Sequence, residues 1–210
     1  MKTFLDILKE KTIVFDGATG TNIKSQNLTP DDFGGEDFAG CNEYLVITKP
    51  SAVEKVHTDF LETGCDVIET DTFGGASVVL IEHGLQEKSY ELNFKAAQIA
   101  KKAASDYSSG GKQRFVAGSM GPTTKLPSLG HISFKEMEKS YYIQTKGLIE
   151  GGSDILVVET CQDVLQTKAA LAGLFSCFKD LKRRLPIIVS VTSESTSTML
   201  LGTEISAALT

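Results

Sequence analysis

No two cysteines in this chain are spaced as CxxC. Cys41, Cys65, Cys161 and Cys177 stand alone, with no metal-finger spacing to His57, His83 or His131. A zinc-finger or disulfide-framework class is thereby excluded, and reduced, mostly buried thiols are expected. Positive charge is in deficit too: 21 Lys+Arg against 27 Asp+Glu leave a net charge of −6, with no basic block longer than "LKRRL". That balance argues against nucleic acid or an anionic membrane as the main partner. A run of about 18 apolar residues, enough to cross a bilayer, is missing. The opening "MKTFLDILKEK" is broken by Asp6, Lys9 and Glu10 before an apolar stretch of signal-peptide length forms, so it reads as an amphipathic helix. A soluble, cytoplasmic chain is the expectation.

Phosphate loops are also absent. The stretch "TIVFDGATGTNI" (12–23) has glycines only at Gly17 and Gly20, with no third in register for a dinucleotide fingerprint. Lys24–Ser25 follows Ile23 rather than the glycine a P-loop needs. A carboxylate, Asp16, stands where a pyrophosphate would approach. An acid at a strand end with glycine behind it suits a cation instead, such as a substrate ammonium or a metal.

What the chain does contain is one theme repeated. Its 210 residues, 41% hydrophobic and 23% charged, predict a single domain over 1–210. Five short β-rich runs occur: "TIVFD" (12–16), "CDVIETD" (65–71), "RFVAGS" (114–119), "DILVVET" (154–160) and "PIIVSVT" (186–192). Their nearly continuous Val, Ile and Phe interiors predict parallel strands covered on both faces. Between them lie helix patterns. "KPSAVEKVHTDFLETG" starts at Pro50–Ser51 and stops at Gly64; "SFKEMEKSYYIQTKGLIEGG" has Ser133 three residues before Glu136, a capping-box spacing, and stops at Gly151–Gly152. Stretches 88–107 and 163–184 are similar. The fold class is therefore α/β, a sheet or barrel with right-handed crossovers.

Two long loops, 17–49 and 120–133, show little periodicity and are expected to be structureless and functional. Every run ends in polar groups: Asp16, Glu69 to Asp71, Ser119, Glu159 to Thr160, and Thr192. Sites in parallel α/β proteins are built at that edge. Glu159 is a candidate partner for Asp16 across a barrel mouth, for cation holding or acid/base work. The bland alternative is that Asp16 caps its loop and Glu159 pairs with a surface lysine. Backbone N–H groups of "ETDTFGG" (69–75) and "GSMGPTT" (118–124) are candidates to receive a carboxylate.

In order along the chain, "DGATGT", "GEDFAGCNEYLVITKP", "ETDTFGG", "VAGSMGPT" and "EGGSDILVVETCQD" resemble the homocysteine-binding domain of the homocysteine S-methyltransferase family. The form they resemble is the one at the N-terminus of cobalamin-dependent methionine synthases. The resemblance implies a partial TIM-type (β/α)8 barrel with about five strands present and homocysteine bound at their carboxyl ends. It implies that Asp16 and Glu159 hold the substrate amino group. Backbone around Gly17, Ser119 and Glu69–Thr70–Asp71 would receive its carboxylate.

The resemblance further implies zinc on three cysteine thiolates from "N-C" and "GGCC" motifs, which activates the homocysteine thiol toward methylcobalamin. Neither motif occurs here, so the expectation is a partial domain with no catalytic residue and no metal ligand of its own. None of the four cysteines lies at a ligand position. Zinc and cobalamin, with folate-binding and cobalamin-binding domains recharging the donor from methyltetrahydrofolate, are implied for a full-length enzyme making methionine. Alternatives are a methyltransferase using betaine or S-methylmethionine, or a non-catalytic amino-acid-binding or assembly chain. Five strands would leave open edges and a route to self-association.

Overall fold

In the computed structural model, which describes residues 2–109 and 112–208, four of the five β-rich runs are parallel strands lying side by side in chain order. They are Val67–Glu69 (β1), Phe115–Met120 (β2), Ile155–Cys161 (β3) and Ile187–Val191 (β4). The first run is less regular than expected. It joins β1 through one parallel bridge, Phe15 to Val67, where Val14 O accepts from the N–H of Asp66 and of Val67 and the Asp16 N–H donates to Val67 O. Ile13 and Phe15 of this segment pack against the inner core, while Val14 between them points to the opposite face and is 55% exposed.

The helices are Phe4–Leu8 (α1), Thr19–Lys24 (α2), Leu45–Thr48 (α3), Pro50–Thr63 (α4), Ser77–Leu80 (α5), Ser89–Asp106 (α6), Phe134–Gly151 (α7), Val164–Leu181 (α8) and Ile205–Ala208 (α9). Leu209 and Thr210 lie outside the described residues. Their ends follow local chemistry. Pro50 opens α4, where its missing N–H is harmless, and Gly64 closes it at φ +106°. Ser133 and Glu136 form the reciprocal cap of α7, and Asp163 caps α8 by accepting from Leu165 N–H at 2.8 Å. Helices α6, α7 and α8 pack closely because glycines sit where they touch. A Cβ on Gly151 would stand 2.5 Å from Phe94 O, and one on Gly173 would stand 2.6 Å from Glu138 O.

The stretch 17–49 is a second departure, since it is structured. It carries α2, α3 and 3-10 turns at Pro30–Phe33, Glu36–Phe38 and Asn42–Tyr44. Thr29 and Asp32 cap the first of these reciprocally, with Pro30 at its start, and Phe33 anchors it in a core with Ile23, Leu45 and Val56. The stretch 120–133 likewise holds a turn at Pro127–Leu129. Short, capped turns have no 3.6-residue period, so a search for amphipathic periodicity passes over them.

Alternation along the strands separates two cores. Val67, Phe115, Ala117, Ile155 and Val157 face one side, where Phe4 joins them. Ile68 and Val116 face α4 and α6, while Leu156 and Val158 face the α7–α8 layer. The β4 edge is open: its residues are half-buried or exposed, and Val189 is 43% exposed. Among the described residues no helix is long and apolar enough to cross a membrane.

Candidate functional site

The two-residue repeat of a strand fixes where the polar ends point. Continuing the inner face past Val67 gives Glu69; past Phe115 and Ala117 it gives Ser119; past Ile155 and Val157 it gives Glu159. Register adds a stagger. Glu69 pairs with Ala117, and Ser119 pairs with Val157, so each polar residue lies one same-face step beyond its neighbour's partner, as in a tilted barrel wall. At the end of β3 the pairing slips between Val158 and Cys161, and Thr160 takes a left-handed φ of 56°. This bulge returns Cys161 to the helix-facing core of Leu156 and Val158 and leaves Glu159 on the inner face.

These residues surround a cavity of about 380 Å³, of a size for a small molecule such as an amino acid. Of the seven residues singled out from sequence, Gly17, Glu69, Thr70, Asp71, Ser119 and Glu159 line it. Asp16 lies behind the wall: its Oδ2 accepts from the Glu69 N–H at 2.9 Å, and its Oδ1 is buried with no partner among the described residues. Glu159 accepts from the Ser119 hydroxyl at 2.6 Å, not from a surface lysine. Thr70 Oγ1 and Thr72 Oγ1 are 2.6 Å apart, Thr72 donates to Ser119 O, and Thr70 Oγ1 accepts the Ser119 N–H at 3.0 Å. That last bond engages the Ser119 N–H within the wall.

Other wall residues come from the stretch that had looked structureless: Thr19, Asn42 and Glu43, with Phe73 from the loop after β1. Glu43 accepts the Gly74 N–H at 2.6 Å. The available signal was "CNEYLVITKP", whose Asn and Glu precede a helix without belonging to its apolar face.

The electrostatics of the two strand ends are opposed. At the amino ends the acids have cations: Asp66 pairs with Lys11 at 2.6 Å and Asp154 with Lys101 at 2.7 Å. Among the described residues no Lys, Arg or His lines the cavity at the carboxyl ends. Burial, and then the Glu159 charge, push Asp16 up to about 7 despite the Glu69 N–H it accepts. Burial, then Glu159 and Asp16, push Glu69 up to about 8. Asp71 is held well above the usual carboxylate range by burial and by Glu43. An acid set without a cation favours a positively charged ligand, which would relieve the mutual repulsion.

The family resemblance implies a zinc-bound thiolate, but the described residues do not fit one: they contain no group of three His, Cys, Asp or Glu able to hold a metal ion. Cys41, Cys65, Cys161 and Cys177 are all buried, in three different cores. Burial pushes Cys41 up to about 12 and Cys65 and Cys177 up to about 11, which keeps them protonated and unreactive. His57, entirely buried, is pushed down to about 4 by desolvation and stays neutral. A corrin ring is far larger than the cavity, so no step through cobalamin arises from these residues either.

Residues 13–210 match the family described as homocysteine S-methyltransferase. Methionine synthase of Mycobacterium tuberculosis (strain ATCC 25618 / H37Rv) is 42% identical over 206 residues, 98% of this chain and 17% of that protein. Methionine synthase of Mycobacterium leprae (strain TN) is 42% identical over 205 residues, with the same two coverages. The chain thus spans about 17% of the length of these curated relatives. Among solved structures, the metallated form of the homocysteine methyltransferase MmuM from Escherichia coli superposes with a TM-score of 0.78 at 20% identity, over 97% of this chain and 71% of that one. Its apo form gives 0.70 at 22% identity, over 97% and 67%. At such identity these structures speak to the fold alone.

Proposed function

The chain belongs to the homocysteine S-methyltransferase family, and from that premise we propose that it recognises homocysteine for an enzyme that methylates the thiol to give methionine. The observation that carries this reading is the uncompensated acid set at the carboxyl ends of the strands. Glu159 and Glu69 on the wall, with Asp16 behind them, hold the substrate ammonium. Ser119 Oγ fixes Glu159 in place at 2.6 Å. Gly17 presents backbone at the mouth, and Thr70 and Thr72 hold the loop after β1 against β2.

The donor is proposed to be methylcobalamin, recharged from methyltetrahydrofolate on folate- and cobalamin-binding domains, because the 42%-identical relatives are methionine synthases. Zinc, where it serves this chemistry, lowers the thiol pKa so that a thiolate attacks the methyl group. The described residues bind and orient the amino acid, and activating its sulfur takes groups other than these. Cytoplasmic residence fits the unpaired thiols.

Calorimetry with homocysteine tests the reading. The chain is expected to bind it, and Glu159→Gln is expected to weaken binding about 10-fold to 100-fold by removing one charge-assisted contact. Unchanged affinity in Glu159→Gln would overturn the assignment. A chain used only for assembly would give no heat with homocysteine at all.

A further inference from the structure

Helix α7 sends Met137, Tyr141 and Leu148 into the core beside Met120, Leu156 and Val158. On that same face, three residues after Tyr141 and four before Leu148, stands Gln144, which is fully buried. An apolar side chain would pack there, and Gln144 Oε1 has no partner among the described residues, which costs stability. The amide nitrogen, by contrast, is used twice. Nε2 donates to Thr72 O at 2.8 Å and, more weakly, to Ser119 O at 3.5 Å. The reverse orientation would set Oε1 against two carbonyl oxygens, so this is the orientation the surroundings accept.

Thr72 and Ser119 belong to a closed ring of hydrogen bonds. The Ser119 N–H donates to Thr70 Oγ1 at 3.0 Å, and Thr72 Oγ1 donates to Ser119 O at 2.7 Å. That bond uses the only hydroxyl proton of Thr72, so Thr70 donates to Thr72 across their 2.6 Å separation. The ring ties the loop after β1 to the end of β2, and Ser119 Oγ leaves it toward Glu159 at 2.6 Å. Ser89 and Asn93 of α6 hold the same loop further on, at Gly75 O, whereas Gln144 is the helix side chain that reaches Ser119. We infer that Gln144 is a positioning residue: from the core behind the cavity it fixes the Thr72–Ser119 ring, and through Ser119 Oγ it aims the Glu159 carboxylate at the substrate ammonium. The inference rests on the amino-acid site proposed above and gives a role in it to a residue outside the cavity wall. Both carbonyls keep a donor without Gln144, Thr72 O from the Gly75 N–H at 2.9 Å and Ser119 O from Thr72 Oγ1. Removing the amide therefore loosens the ring without orphaning a backbone group, and it takes the unpaired Oε1 away as well.

The test is calorimetry with L-homocysteine, together with thermal melts, on the whole chain carrying Gln144→Met, which fills similar space without a donor. The variant is expected to melt within about 3 °C of the unaltered chain, or above it, and to bind homocysteine about 10-fold more weakly. A residue that only supported the core would do the reverse, lowering the melting temperature and leaving affinity unchanged. A double-mutant cycle decides if both fall. In a Ser119→Ala background, where the link to Glu159 is already cut, Gln144→Met should change affinity by less than about 3-fold. If Gln144→Met does not fold, Gln144→Asn, which carries the amide on an arm too short to reach both carbonyls, takes its place with the same expected affinities. Unchanged affinity in the folded variant overturns the inference, and so does a loss of about 10-fold that persists alongside Ser119→Ala. Either result leaves the amino-acid site standing. Failure of the unaltered chain to bind homocysteine overturns both.

Discussion

Asp16 shows what a buried acid does before its ligand arrives. Its ordinary value is 3.8 and burial pushes it up to about 7, so the folded chain holds a proton there that the unfolded chain releases. The contribution to stability is full below about pH 4 and is lost as the pH rises toward about 7. Asp16→Asn removes the titration and leaves an oxygen for the Glu69 N–H. It should therefore match the parent near pH 4 and exceed it near pH 8 by a few kcal/mol, as an order of magnitude, in thermal melts without ligand. The same variant should bind homocysteine less well. Binding has the opposite pH sense: Glu69, pushed up to about 8, must lose its proton to hold an ammonium. Affinity should therefore rise between about pH 6 and about pH 8, with protons released to the buffer, and Glu69→Gln should flatten the rise. Every one of these acids is visible in the sequence at a strand end. The proton each one keeps was not, because it depends on which other acids the fold brings beside it.

Secondary elements with strong local signals formed where the residues placed them. Pro50 and Gly64 bound α4, and Ser133 with Glu136 open α7. Ser133→Ala should lower stability by about 1 kcal/mol in denaturant titration, the usual contribution of an N-cap. Gly151 makes the opposite point about local propensity. Alanine is the better helix former by about 1 kcal/mol, yet a Cβ at Gly151 meets Phe94 O at 2.5 Å and Ala97 Cβ at 2.7 Å. Gly151→Ala should therefore destabilise by about 1–3 kcal/mol, as overpacking does, with the loss seen in the same titration. What local reading missed was short: the capped turn at Thr29–Asp32 within 17–49, and the bulge at Thr160 that keeps Glu159 facing inward. Thr, Pro and Asp at 29–32 were a readable turn signal. A bulge depends on β4 as much as on β3, so the β3 sequence alone did not show it.

At the scale of the molecule, sheet order follows chain order and leaves two unpaired flanks, the 12–16 segment and β4. Val189, 43% exposed on β4, lies on a flank able to pair with a second chain. Val189→Lys should reduce concentration-dependent association in sedimentation equilibrium without shifting the melting temperature by more than about 2 °C. The net charge of −6 is arranged by strand end as well as by surface. Acids at the amino ends are paired with lysines, as Asp66 and Asp154 are, and those at the carboxyl ends line a cavity without cations. That asymmetry separates the paired amino ends of the sheet from the carboxyl ends, where we propose that the substrate binds.

The sequence by itself determined the strand–helix alternation, the capped helix ends and the presence of acids and a serine at the strand exits, because these follow from residue type and short-range spacing. Only the tertiary structure decided that Glu69, Ser119 and Glu159 share one wall, that Asp16 stands behind it, and that Glu43 approaches Asp71. Those juxtapositions join residues tens of positions apart, and burial then sets which of them hold protons. Local spacing does not encode that distance, and the packing of the barrel wall does.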